Sequence, residues 1–316
     1  MGAGDKTGGT NMGKYLVKRI LQMIPVMIII TMIIFILLNV AGDPTVNLLP
    51  LDATEAEREA LRTAMGLNRP LPVQYLDFLK KAFTGDFGNS YRFNQPALQL
   101  AMARMPMSIQ LAGAALLFAV VMAIPLGILS AQFANSPFDL IISGVSVLGR
   151  AMPSFWVGIM LILLLAVNFR LFPVSGSGTP AHLVLPALTL SIQNAAQIIP
   201  LIRSNMLSIM HEDYIRTARS KGLREWSVIC IHAFKNALVP VVTIIALEVP
   251  GLIGGALITE TVFAWPGLGQ FLIQAIGNRD MSVVQVCIFL IAVITLVANL
   301  IADIVYCLID PRIRYE

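Results

Sequence analysis

Apolar runs of membrane-spanning length recur along this chain, and the polar segments between them set its organisation. The first run, residues 20–41, follows Lys14, Lys18 and Arg19. At about 1.5 Å per residue it covers the roughly 30 Å hydrocarbon core, whereas a signal-peptide core is only about 7–15 residues long, so it reads as a retained span. Further spans are predicted at residues 107–131, 140–167, 183–206, 237–259 and 286–309. Residues 42–103 form the one large polar insertion, punctuated by Pro44, Pro50, Pro70, Pro72 and Pro96, with helices expected over 55–65 and 73–83 and a turn at Gly85-Asp86-Phe87-Gly88. About sixty residues can cap the spans but cannot build a core of their own. Asn135, Ser136 and Pro137 lie in the short link between spans two and three; residues 169–182 and 263–281 read as short loops.

Polar residues inside the spans are the exceptions to this pattern. The third span is interrupted at residues 149–153, Gly-Arg-Ala-Met-Pro, which puts Arg150 well inside an apolar stretch. A charge there costs at least about 2.5 kcal/mol on insertion scales, so Arg150 faces protein or a water-filled path, or bonds a carbonyl freed by Pro153. In the fourth span Ser191, Asn194 and Gln197 fall within a roughly 120° arc, beside Gln193, and serve either as helix-to-helix bonds or as the lining of a passage. Glu248 lies in the fifth span, and Asn299 and Asp303 share a face of the sixth.

The segment 211–236 is the one long polar interruption of the C-terminal half. Between Arg216 and Lys235 it carries Arg216, Arg219, Lys221, Arg224 and Lys235 against the single acid Glu225. The Lys/Arg bias places it in the cytoplasm, and with it both chain ends, since basic residues flank the first span and Arg312 and Arg314 follow the last. The two later loops on the other side carry only Arg170 and Arg279 as Lys or Arg, in agreement. Asp213 opens a run of good helix formers, Tyr214, Ala218 and Leu223 fall near one face, and Gly222 stands where a short helix can stop. Such an element is either a solvated basic connector near anionic headgroups or a handle for another protein.

Composition agrees with these spans: 57% of the 316 residues are hydrophobic and only 13% charged, against about a quarter in soluble domains. This excludes an ordinary soluble domain, and the net charge of +4 follows from topology, not from nucleic-acid binding. Cys230, Cys287 and Cys307 lack metal-like or redox spacing, so no metal site or disulfide is expected. Residues 1–13 are expected as a disordered lead-in. Gly8, Gly13 and Lys14 imitate a phosphate-binding loop, but Tyr15 stands where a Ser or Thr is needed and a span follows, so no nucleotide site is expected in this chain.

Four stretches together resemble a known family: residues 14–44; residues 61–75 with 85–90 (GDFGNS); DYIRTARSKGL (213–223) with HAFKNALVP (232–240); and ETVFAWPGLGQ (260–270) with IDPRIRY (309–315). They are similar to membrane permeases of bacterial importers for dipeptides and oligopeptides driven by ATP-binding-cassette (ABC) ATPases. The resemblance covers about residues 14–316 and implies an all-α, six-span, non-enzymatic permease in the inner membrane, with 42–103 as an extracytoplasmic insertion. It also implies a homologous second permease, two cytoplasmic ATPases that bind the ATP, and an extracytoplasmic substrate-binding protein. In such importers a short coupling helix with an E-A-A-x-x-x-G pattern sits in an ATPase cleft. Here Arg216, Thr217 and Ala218 take its first three positions and Gly222 its glycine, so Tyr214, Arg216, Thr217, Ala218, Arg219, Lys221 and Gly222 are the candidate coupling residues. Arg150, Ser191, Gln193, Asn194, Gln197 and Glu248 are the candidate path residues.

Two other functions fit the residues less well. Glu248 and Asp303 would suit an ion-coupled secondary transporter, but the internal repeats common in such folds are not evident. A structural membrane protein would use the polar residues only as helix glue. Similar permeases serve nickel chelates, glutathione or opines, so the cargo within the class stays open.

Overall fold

The computed structural model describes residues 8–40 and 53–309. Among them the chain is helical, with one isolated bridge between Asn89 and Pro96. Helix α1 (Gly8–Val40) takes residues 8–13 into its first turns, where a disordered lead-in was expected. Residues 1–7, the start of the insertion at 42–52, and Arg312 with Arg314 lie outside the described residues.

The insertion holds α2 (Glu55–Met65) and α3 (Leu71–Thr84), each ended by a sequence signal. Thr54 and Glu57 close a reciprocal capping box on α2, and the hydrogen bonds lower the Glu57 carboxyl below its usual range. Gly66 and Gly85 stop the two helices at φ 73° and 76°, where glycine carries no Cβ penalty. Tyr75 of α3 donates to the Ile28 carbonyl of α1, and its ring meets Phe35 edge-on.

Next come α4 (Ala97–Gln132), α5 (Pro137–Ala151), α6 (Ser154–Leu161) with a π-helical continuation to Asn168, and α7 (Pro180–Met210). The hook helix α8 (Asp213–Ser220) is followed by a short helical segment over 225–233, π-helical from Val228, then by α9 (Phe234–Val262), α10 (Leu268–Gly277) and α11 (Met281–Ile309). Helices α1, α4, α7, α9 and α11 are long and apolar enough to cross a membrane, and α5 with α6 and its continuation to Asn168 passes the same test only as a pair bent by 111°. The break falls at Met152, whose extended backbone (ψ 132°) is what a following proline imposes.

The core centres on α7 and α4. Ala101, Ala112, Ala115, Ala119, Ala123 and Gly127 line the buried side of α4 at helical spacing. A Cβ on Gly127 would lie 2.6 Å from Cβ of Ile202, so the two helices touch only because glycine stands there. Arg203 of α7 binds both oxygens of Asp139 at 2.7 Å, and Arg19 of α1 clasps Asp303 of α11, so these internal charges are paired. Residues 263–281 are not simply a loop. Leu268, Phe271, Leu272 and Ala275 of α10 are buried against Val283, Val286 and Cys287 of α11, which gives the apolar run after Trp265-Pro266-Gly267 a surface to fold on.

Candidate functional site

The hook helix α8 hangs below the ends of α7 and α9. Its Glu212 N-cap is extended (ψ 148°) and makes no side-chain cap. Gly222 turns the chain at φ 75° with nothing within 4 Å of a Cβ position, so glycine is needed there for the backbone angle alone. The buried face is Ile215 and Ala218, packed into the same cluster as Met206 of α7 and Val228, Ile229 and Ala237. Ala218, one of the candidate coupling residues, is thus packed on its own spans. Tyr214 is half exposed, and its hydroxyl accepts from the Asn236 amide at 2.9 Å. Leu223 lies beyond the helix end. Arg216, Thr217 and Lys221 are exposed, and Arg219 is engaged sideways with Glu225 at 2.7 Å. That hydrogen-bonded pair holds the Glu225 carboxyl below its usual range and the Arg219 guanidinium above its own. Trp226 is 75% exposed. Sequence reasoning passed over it because a tryptophan in a polar loop carries no periodicity to mark it.

At mid-depth the expected polar stripe of α7 divides. Ser191 and Asn194 are buried and donate to their own helix, to the Leu188 and Leu190 carbonyls at 2.8 Å, so they are turned away from any open face. Gln193 donates to the Met152 carbonyl at 2.8 Å and holds the α5–α6 corner. Gln197, one turn further, is exposed, as is Arg150, while Glu248 is half buried. Helices α7 and α9 are antiparallel, since Met206 and Ala237 share one cluster and Leu190 and Ala256 another. A Cβ on Gly255 would meet Leu190 at 4.0 Å, and one on Gly149 would meet Ala196 at 3.2 Å. From Leu190 to Ala196 is about 9 Å of helix, which on α9 leads from Gly255 back to within a residue of Glu248. Arg150 and Glu248 therefore share one depth.

At the opposite end from α8, Glu260 is 1% exposed beneath α10. Its carboxylate accepts from the Gly269 and Gln270 amides at 2.7 and 3.0 Å and from the Ser108 hydroxyl at 2.6 Å, while Ser108 accepts from the Leu268 amide at 2.8 Å. The orphan donors of the α10 N-terminus are thus satisfied from α9 and α4. The fit is close: a Cβ on Gly267 would stand 2.2 Å from a Glu260 oxygen, and one on Gly269 would stand 2.5 Å from Cα of Leu257. Trp265 closes the unit by donating its indole N–H to the Met107 carbonyl at 2.9 Å. Asp280 repeats the device for α11, accepting from the buried Ser90 hydroxyl of the GDFGNS stretch.

A helical bundle with a separate short helix slung across one end and unpaired charges at mid-span has the architecture of a membrane transport subunit. The chain belongs to the family of binding-protein-dependent transport system inner membrane components, which matches residues 123–315, with the family's N-terminal part matching residues 12–112. It is 40% identical to the oligopeptide transport system permease protein AppB of Bacillus subtilis (strain 168), across 96% of this chain and 100% of that one. It is 36% identical to the dipeptide transport system permease protein DppB of Escherichia coli (strain K12), across 96% and 99%. A chain of the MetNI methionine ABC transporter in an inward-facing conformation shares the fold, with a TM-score of 0.55 and 17% identity over 67% of this chain and 97% of that one.

Proposed function

We propose that this chain is the permease subunit of an ATP-driven importer of short peptides. It pairs with a second permease, receives cargo from an extracytoplasmic binding protein, and docks two cytoplasmic ATPases that bind the ATP. The observation that carries the coupling role is the hook: α8 is anchored by Ile215 and Ala218 to the core shared by α4, α7 and α9, and Arg216 on it, with Lys221 and Trp226 just beyond its end, is exposed. A push on that outer face reaches the spans through packed side chains, and rigid-body rocking between two packings follows. The relatives' names support peptide cargo. The Lys/Arg bias supports a cytoplasmic hook and cytoplasmic chain ends. For ion coupling, Asp303 is a poor site because Arg19 already holds it.

Trp226→Ala tests the docking without disturbing the fold, because this side chain is exposed. Buried interfacial tryptophans commonly cost about 2 kcal/mol or more on truncation, roughly 30-fold in affinity. The variant should insert and pair with the second permease normally, yet lose ATPase subunits on purification and lose uptake. Ala218→Leu should give the same losses by prising α8 from its own core, and Gly222→Val by straining the turn. Normal ATPase retention in all three variants would reject the docking role.

A further inference from the structure

Among the described residues, Glu248 and Arg150 are mid-span charges that the fold leaves unsatisfied. Neither makes a hydrogen bond or ion pair among the described residues, whereas Asp139, Arg203, Arg19 and Asp303 are all paired. A charge exposed to hydrocarbon is costly, so the face carrying both must meet water, cargo or protein. The two lie at one depth, yet no contact within 4.0 Å joins them among the described residues. Two charges meant only to neutralise each other would close that gap, since charge-assisted hydrogen bonds form at about 2.7–2.9 Å.

We propose that Arg150 and Glu248 form a two-point site for a zwitterionic cargo, with Arg150 taking a free carboxylate and Glu248 a free ammonium group, as at the two ends of a short peptide. The inference rests on the peptide-importer reading above and names what the path recognises. The planar guanidinium suits a carboxylate, and the carboxylate of Glu248 suits an ammonium. Arg150 is held in place: it stands in the last turn of α5, between Gly149, packed on Ala196, and the corner that Gln193 bonds at Met152. Beside Glu248 the wall is bare. Gly251, one turn further along α9, is exposed with nothing within 4 Å of a Cβ position, and Gly254 is likewise open. Fixed charges beside empty space read the ends of a peptide while tolerating varied side chains between them.

The test uses the complete transporter in proteoliposomes with its wild-type binding protein. That protein is preloaded to equal extent with a peptide in three forms that it retains: free-ended, N-acetylated and C-amidated. ATP-driven uptake is measured for wild type, Glu248→Gln and Arg150→Gln. Glu248→Gln should slow the free-ended and C-amidated peptides about tenfold or more and leave the N-acetylated peptide at its wild-type rate. Arg150→Gln should slow the free-ended and N-acetylated forms and spare the C-amidated one. Equal slowing of all three forms, or of none, would overturn the site. So would loss of the second permease from either purified variant, which would make the pair a subunit contact. A wild-type complex that moves no form of the peptide would instead overturn the peptide reading, and the site with it.

Discussion

Removing the Glu260 carboxylate is the sharpest probe of how the bundle is closed at the α10 end. Glu260→Ala leaves the Gly269 and Gln270 amides without their acceptor and frees the Ser108 hydroxyl. Two buried orphan donors at about 1–3 kcal/mol each give about 2–6 kcal/mol. A cavity of about 30 Å³ already adjoins Glu260 and Ser108, so water can enter and recover part of this, leaving about 2–4 kcal/mol. Hydrogen exchange of the α10 amides in the assembled complex reads it directly, as acceleration of roughly 30- to 1,000-fold. A double-mutant cycle makes the argument specific. The three nearest atoms to a Cβ on Gly267 all belong to Glu260, and its φ of −95° suits any residue. Gly267→Ala should therefore loosen α10 in the wild type and cost almost nothing beside Glu260→Ala. Gly269→Ala, which meets the Leu257 backbone, should be damaging in both backgrounds. Exchange in Glu260→Ala within threefold of wild type, or an undiminished effect of Gly267→Ala beside it, would refute the capping account.

Two further outcomes are expected. A cysteine at Ser177 should react with an impermeant thiol reagent in intact cells and one at Ser220 should not; both positions are exposed, so burial cannot explain a difference, and reversed labelling refutes the orientation. The Glu225 carboxyl is held low by Arg219, so the stability this pair adds to the hook is present above the usual glutamate value of about 4.3 and is lost as pH falls through the lowered one. With Trp226 as the sole tryptophan, its fluorescence should stay level from about pH 8 to 5 and change only below that window; a transition near pH 6–7 would assign the hook's titration to another group.

Local composition was enough to place the spans, because about 20 consecutive apolar residues have few stable alternatives once water is excluded. The limits of α2 matched its capping box and its closing glycine, and the α5–α6 break matched Met152-Pro153, since these are short-range stereochemical constraints. Gly222 was legible for the same reason: a glycine after a run of helix formers marks a positive φ. Helix periodicity could show only that a residue has a face. It could not show what lies opposite that face. So Ala218, a candidate for a partner's surface, proved to be packed on its own core, and Ser191 and Asn194 proved to be turned inward and satisfied by their own backbone. The common depth of Arg150 and Glu248, far apart in sequence, follows from α7, which packs against α5 on one hand and antiparallel to α9 on the other. The role of Glu260 likewise exists only where α4, α9 and α10 meet, because a buried carboxylate has meaning only through the donors that the fold brings to it.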